Sequence, residues 1–353
     1  MLTGIVLWWS AFTSLTGLAT GYYSLLATRL LFGVGEAGAF PNTSIVVARW
    51  MPLQERGRAF GIIMAASQVG GAISPLLVVP IQIRYGWRAS FWCFGVLGVV
   101  WSAIWYGWFR DSPQEKPGVP VSELEESPPP VAHSHRSLPW AIALRSANFW
   151  AVIVIAFCQA YTYNFFQTWF HTWLVRGRGF SEKGLLLSSL PFVVAAGANL
   201  AGGLASHLLV PRIGLKWGRR APGLVGLAAA SACTIAVPFT HSPALSLALL
   251  CLTYGGITLE QPIIFAVCLD IGLAYSGAMV GAMNMCAQLG GFVGALVFGY
   301  LVALTGSYNV AFIPMAALLL LGAGLWLRIN PGEALTPGAA GAALVEAAGA
   351  HAD

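Results

Sequence analysis

Apolar residues in this chain come in long, nearly uninterrupted runs separated by short polar clusters. Runs at about 2–20, 23–48, 60–83, 90–109, 149–175, 185–210, 221–240, 243–269, 278–304 and 308–328 each approach or exceed the ~20 residues a helix needs to cross a bilayer core of about 30 Å. The pattern predicts ten transmembrane helices. The first run has no basic stretch before it and no convincing cleavage site after it, so it reads as a span and not as a signal peptide. The second run is the unusual one, because it places Arg29 and Glu36 inside apolar sequence. A charge near the middle of a span costs roughly 2.5–3.5 kcal/mol, so such residues face a polar cavity or a partner rather than lipid. Seven residues make about 700° of helix, which puts Arg29 and Glu36 on one face about 10 Å apart. That is too far for a direct ion pair and suitable for lining one cavity.

Composition agrees with the pattern. With 57% hydrophobic and 9% charged residues and a mean hydropathy of +0.73, the chain lies outside the range of soluble domains. The net charge of +5 comes from basic residues in short loops with no aromatic-interleaved patch, which argues against nucleic acid as a partner. With the N-terminus inside, twelve of the 18 Lys and Arg residues fall in cytoplasmic segments, five fall outside and Arg29 stays in the membrane. That bias puts both termini in the cytoplasm. The six cysteines stand singly in the spans without metal-ligand spacing, so neither a disulfide framework nor a metal is expected. HExxH, a Walker loop and GxSxG are all absent, so no cofactor is expected and an intramembrane enzyme is the remote alternative.

Residues 111–139 are rich in proline and charge and cannot bury a core. They divide the chain into an N-terminal half of four helices (1–110), a cytoplasmic linker (111–145), a C-terminal half of six helices (146–330) and a disordered Ala/Gly-rich tail (331–353). Within the linker, Ser122 and Glu125 fit a capping box, and His133 and His135 read as solvated. An internal repeat accounts for the unequal halves. A shift of 220 residues superposes Gly57, Gly61, Gln68, Gly70, Gly71 and Gly86 on Gly277, Gly281, Gln288, Gly290, Gly291 and Gly306. This makes the third and ninth spans equivalent, as in transporters built from parallel repeats. If the halves are alike, roughly 75 residues, two helices and their loops, are expected ahead of Met1.

The segments RLLFGVGEAGAFPN, ARWMPLQERGRAFG, YGWRASF, WYGWFRDSP and MNMCAQLGGFVGALVFGYL resemble the anion:cation symporter family of the major facilitator superfamily, over nearly all of residues 1 to 330. The resemblance implies an all-α, two-half fold of twelve helices, of which this chain would hold ten beginning at the third. It also implies uptake of small organic anions, such as sugar acids or other carboxylates, together with protons in a bacterial inner membrane. A truncated, transport-inactive relative is the alternative. The family's GGxxSDxL pattern here has His207 in place of aspartate, and His171 stands where a proline is common.

Arg29 is either a snorkelling arginine at the interface or, as the resemblance implies, the group that holds the substrate carboxylate through its planar donor fork. Glu36, flanked by Gly33, Gly35 and Gly38, is either an interhelical hydrogen-bonding group or the carboxyl that takes up the coupling proton. Gln68 and Gln288, with Asn284 one turn before Gln288, are candidate substrate contacts or interhelical glue. Tyr161, Tyr163 and Asn164 add polar and aromatic groups in the outer part of the fifth span, as substrate contacts or as interfacial belt. Glu260, alone in the eighth span, is a candidate auxiliary proton or cation site. Arg49, Glu55, Arg56 and Arg58 read as cytoplasmic anchors and gate contacts. The expected partners are a small organic anion, protons and the lipid bilayer, with the chain acting as a monomer.

Overall fold

A computed structural model describes residues 1–116, 118, 140–180 and 185–335. The linker from 119 to 139, with Ser122, Glu125, His133 and His135, and the tail from 336 onward lie outside the described residues. All regular structure among the described residues is helical. The main helices are α1 (Leu2–Thr16), α2 (Tyr22–Glu36), α3 (Ala39–Trp50), α4 (Arg56–Tyr85), α5 (Trp87–Trp108), α6 (Ala147–Thr168), α7 (Leu185–Ala236), α8 (Pro243–Gly272), α9 (Ser276–Thr305) and α10 (Tyr308–Trp326).

Two boundaries differ from those expected. The span expected over 23–48 is interrupted at Ala37 and Gly38, between α2 and α3. Pro41 has no N–H to give to the Ala37 carbonyl, and the Gly38 N–H turns to the Gly35 carbonyl at 3.3 Å instead of continuing the i−4 ladder. The Asn42 side chain then donates to the Gly38 carbonyl at 2.7 Å. The second difference lies between 210 and 221, where a loop was expected and one helical run continues. Gly214, at φ 78°, is the single non-helical residue there, a conformation that only glycine adopts without strain. It divides α7 into legs 185–213 and 215–236. A methyl placed on Gly255 of α8 would meet Val194 and Ala198 of the first leg, whereas one on Gly256 would meet Gly226 and Ala230 of the second. Residue numbers rise together along α8 and the first leg (Ala198 with Gly255, Gly202 with Leu259) and oppositely along the second (Ala230 with Gly256, Gly226 with Glu260), so the two legs run antiparallel. Eight helices are long and apolar enough to cross a membrane. One of these is the doubled α7, and α1 is a shorter apolar helix outside the eight.

The described residues form two compact units, those within 1–52 and 70–135 and those within 53–69 and 136–353. In the first unit α1 packs on α5 and α2. Gly95 and Gly98 of α5 lie against Ser14 and Ser10, and Gly35 of α2 lies against the Trp8 ring, each too close for a Cβ to fit without movement. The Trp8 indole also donates to the Leu31 carbonyl at 2.7 Å, which holds α2 by its backbone. In the second unit α6 packs on α9, where Gly290 and Gly294 seat against the Phe157 and Tyr161 carbonyls. Close approach through small residues is how helices associate where no hydrophobic force separates them from lipid. Serine caps start three helices of this unit: Ser146, Ser242 and Ser307 accept the N–H groups of Phe149, Leu245 and Asn309. A buried aromatic cluster of Phe165, Phe298, Phe312 and Trp173 fills the space between α6, α9 and α10.

Candidate functional site

In the first unit Arg29 and Glu36 both belong to α2, and both are exposed. The Arg29 guanidinium lies 4.9 Å from the centre of the Phe91 ring of α5 and 5.8 Å from that of Phe32. An aromatic face attracts the cation without consuming its N–H donors, so the planar fork stays available to an anion. The only ion pairs among the described residues lie in the other unit, and Glu36 makes none. Glu36 is the last residue of α2, at the interruption that Pro41 creates.

The second unit holds a hydrogen-bonded polar network that the sequence revealed only in part. Gln68 is buried at 5% exposure and donates from Nε2 to the Tyr163 hydroxyl at 3.2 Å. Its Oε1 accepts from the Tyr254 hydroxyl at 3.4 Å, and Tyr254 in turn accepts from Gln167 Nε2 at 3.1 Å. Tyr254 is fully buried, with its ring stacked on Phe166 at 4.4 Å and facing Tyr163 at 5.3 Å and Phe192 at 5.6 Å. Gln68 and Tyr163 were expected at such a site, whereas Tyr254 and Gln167 were missed. A tyrosine in a run of apolar and small residues carries no local mark of its partners, which come from α4 and α6.

The other candidates are dispersed. Tyr161 is buried on α6 with its carbonyl against Gly294, and Asn164 packs on Gly291 while accepting from Thr168. Asn284 is half-buried and Gln288 exposed on α9, and neither joins the Gln68 network. Gln68 and Gln288 are therefore equivalent in the repeat and unlike in surroundings. Glu260 is fully buried, and both its carboxyl oxygens lack a hydrogen-bond partner by distance and angle. Its neighbours are the Gly226–Gly256 crossing of α7 on α8 and the Trp326 indole of α10, whose buried N–H interacts with the carboxyl outside strict hydrogen-bond geometry.

A third cluster was not anticipated as a unit. Asp270, at the end of α8, pairs with Arg219 at 3.0 Å and with Arg56 at 3.4 Å. Arg219 also donates to the Ser206 hydroxyl at 2.7 Å and to the Leu53 carbonyl at 3.0 Å, and it is fully buried. Arg56 is thus a member of a buried ion pair. Asp270 had one legible signal, an acid closing an otherwise apolar run.

Helices long and apolar enough to cross a membrane, packed through glycines with a few polar groups inside them, mark a polytopic membrane protein. The sequence matches the Major Facilitator Superfamily over residues 1–295, and the chain belongs to that family. It is 34% identical over 333 residues to the probable sulfoacetate transporter SauU of Cupriavidus necator, covering 92% of this chain and 76% of that one. It is 29% identical over 338 residues to the probable anion transporter 1, chloroplastic, of Oryza sativa subsp. japonica, covering 93% of this chain and 63% of the relative's length. Similarity to the D-galactonate transporter of Escherichia coli O6:H1 is 29% over 330 residues, covering 89% and 76%. Among solved structures, the human organic anion transporter MFSD10 (TETRAN) shares the fold, with a TM-score of 0.69 over 92% of this chain and 76% of that one at 16% identity. The two bacterial relatives are named as transporters of organic anions.

Proposed function

We propose that the chain is a proton-coupled symporter for a small organic anion, in which Arg29 holds the substrate carboxylate and Glu36 carries the coupling proton. The observation that carries this reading is an arginine and a carboxylate two turns apart on α2, neither engaged in an ion pair. A guanidinium matches a carboxylate bidentately. An ionised Glu36 would repel an arriving anion, so the neutral form loads substrate, and release to the cytoplasm frees Glu36 to lose its proton inward. Sulfoacetate and D-galactonate, the substrates in two relatives' names, are both small carboxylates, which supports the substrate class. Gln68, Tyr161, Tyr163, Asn164, Asn284 and Gln288 are proposed as further substrate contacts, and Glu260 as an auxiliary proton site. The chain acts as a monomer in a bacterial inner membrane, with both termini cytoplasmic, by exposing the site to one side at a time.

Uptake of labelled sulfoacetate and D-galactonate into proteoliposomes under an imposed pH gradient tests this. Accumulation of one of them should rise with the gradient. No uptake of either, or uptake indifferent to the gradient, overturns the proposal. Glu36→Gln imitates the neutral carboxyl permanently, so it should keep substrate counterflow and lose gradient-driven accumulation. Intact accumulation in that variant would move the coupling role to Glu260.

A further inference from the structure

The end of the first unit where α2 begins, α4 ends and α5 begins carries three arginines and no acid. Cation and ring contacts join two of them. The Arg29 guanidinium lies 4.9 Å from the Phe91 ring centre, Phe91 meets Trp87 edge to face at 5.8 Å, and the Arg88 guanidinium lies 4.5 Å from the Trp87 ring. Arg88 Nη2 also donates to the Ala19 carbonyl at 3.1 Å, between α1 and α2. Arg84, in the last turn of α4, lies 5.5 Å from the Tyr85 ring beside it. All three arginines are exposed. Residues 1–35 and 70–110 contain no aspartate or glutamate, and the acids described in this unit are Glu36, two turns beyond Arg29, and Asp111 and Glu115, past the other end of α5. Local structure does not favour this arrangement. Arg88 stands in the first turn of α5, where the positive end of the helix dipole disfavours a cation. The proposed orientation puts this end outside, where the topological bias does not place basic residues. Ring faces attract the cations and leave their charge uncancelled.

We propose that Arg84 and Arg88 form an outer capture site that draws an anion from the medium toward Arg29 and favours dianions over monoanions. Coulomb attraction is linear in the charge of the ligand, so whatever factor one arginine supplies to a monoanion is squared for a dianion. An acid that carries a sulfonate beside its carboxylate gains in this way over a sugar acid with a carboxylate alone. Capture of this kind depends on charge and not on a planar fork, so lysine serves as well as arginine at 84, in contrast to Arg29. The inference rests on the symporter reading and its orientation, and adds to them two residues and a preference for doubly charged substrates.

The test is the KM for uptake of sulfoacetate, a dianion, and D-galactonate, a monoanion, into proteoliposomes of zwitterionic phosphatidylcholine at low salt. A unit charge about 6 Å away in water is worth about threefold to a monoanion and therefore about tenfold to a dianion. Arg84→Gln, at an exposed position, should raise the two KM values by those factors, and Arg88→Gln should act in the same direction while also losing the bond to Ala19. Arg84→Lys should match the parent. At about 1 M salt, where the Debye length is about 3 Å, variants and parent should converge. Where the parent takes up only one of the two acids, the salt dependence of that KM decides. Parent-like KM values in both glutamine variants overturn the inference, as does a loss that salt does not remove. A loss seen only in vesicles that contain phosphatidylglycerol assigns the arginines to lipid phosphate and overturns it as well. Uptake of neither acid by the parent sinks the symporter reading, and the inference falls with it.

Discussion

The two units solve the problem of polar groups in apolar helices in opposite ways. In the best span of α2–α3, 17% of the residues are buried, against 72% in α8. In the second unit Asp270 is sealed between Arg219 and Arg56 and the amides and phenols around Tyr254 bond to one another, while Glu260 is buried without such a partner. In the first unit Arg29 and Glu36 are exposed and unpaired, held only through the backbone and ring contacts of α2. A buried charge survives by exhausting its bonding capacity inside the protein, whereas a charge that serves a ligand must keep that capacity open. The comparison therefore separates the ion-paired Asp270 cluster from Arg29 and Glu36, which keep their bonding capacity open.

That separation can be broken by substitution, and the largest effect is expected at Asp270. Asp270→Ala leaves two guanidinium groups buried without their shared carboxylate and should cost about 3–5 kcal/mol, seen as a lowered midpoint in detergent unfolding. Arg29→Leu should leave that midpoint near the parent's, and a comparable loss there would erase the distinction between the units. Arg29→Lys keeps the charge and removes the fork. Carboxylate affinity should fall by about 1.5–3 kcal/mol while the amount of inserted protein is unchanged, and parent-like affinity would favour the snorkelling role.

A smaller contrast lies in the glycines. Gly290→Ala drives a methyl into the Phe157 carbonyl and should destabilise by about 1–3 kcal/mol. A methyl on Gly33 of α2 meets nothing within 4 Å, so Gly33→Ala should be neutral or raise stability by up to about 1 kcal/mol through the unfolded chain. Equal losses at the two positions would mean that α2 is packed as tightly as α9, against the comparison drawn here.

The sequence by itself determined the class of protein, its all-helical apolar runs and the place of Arg29 and Glu36 on one helical face, because these depend on hydropathy and on 100° per residue, which need no neighbour. It also held the reason for the break after Glu36, since Pro41 is in plain view, yet an apolar run scores the same whether or not its ladder is complete. Only the tertiary structure decided which polar groups are spent. Gln68 and Gln288 match at a 220-residue offset, and one is clasped by two tyrosines while the other is exposed outside that network. Asp270 and Arg219 are 51 residues apart and Asp270 and Arg56 are 214 apart, separations at which no local period carries information. Tyr254 takes its hydrogen-bond partners from the glutamines of α4 and α6, because a hydrogen bond belongs to a pair of residues and not to either one.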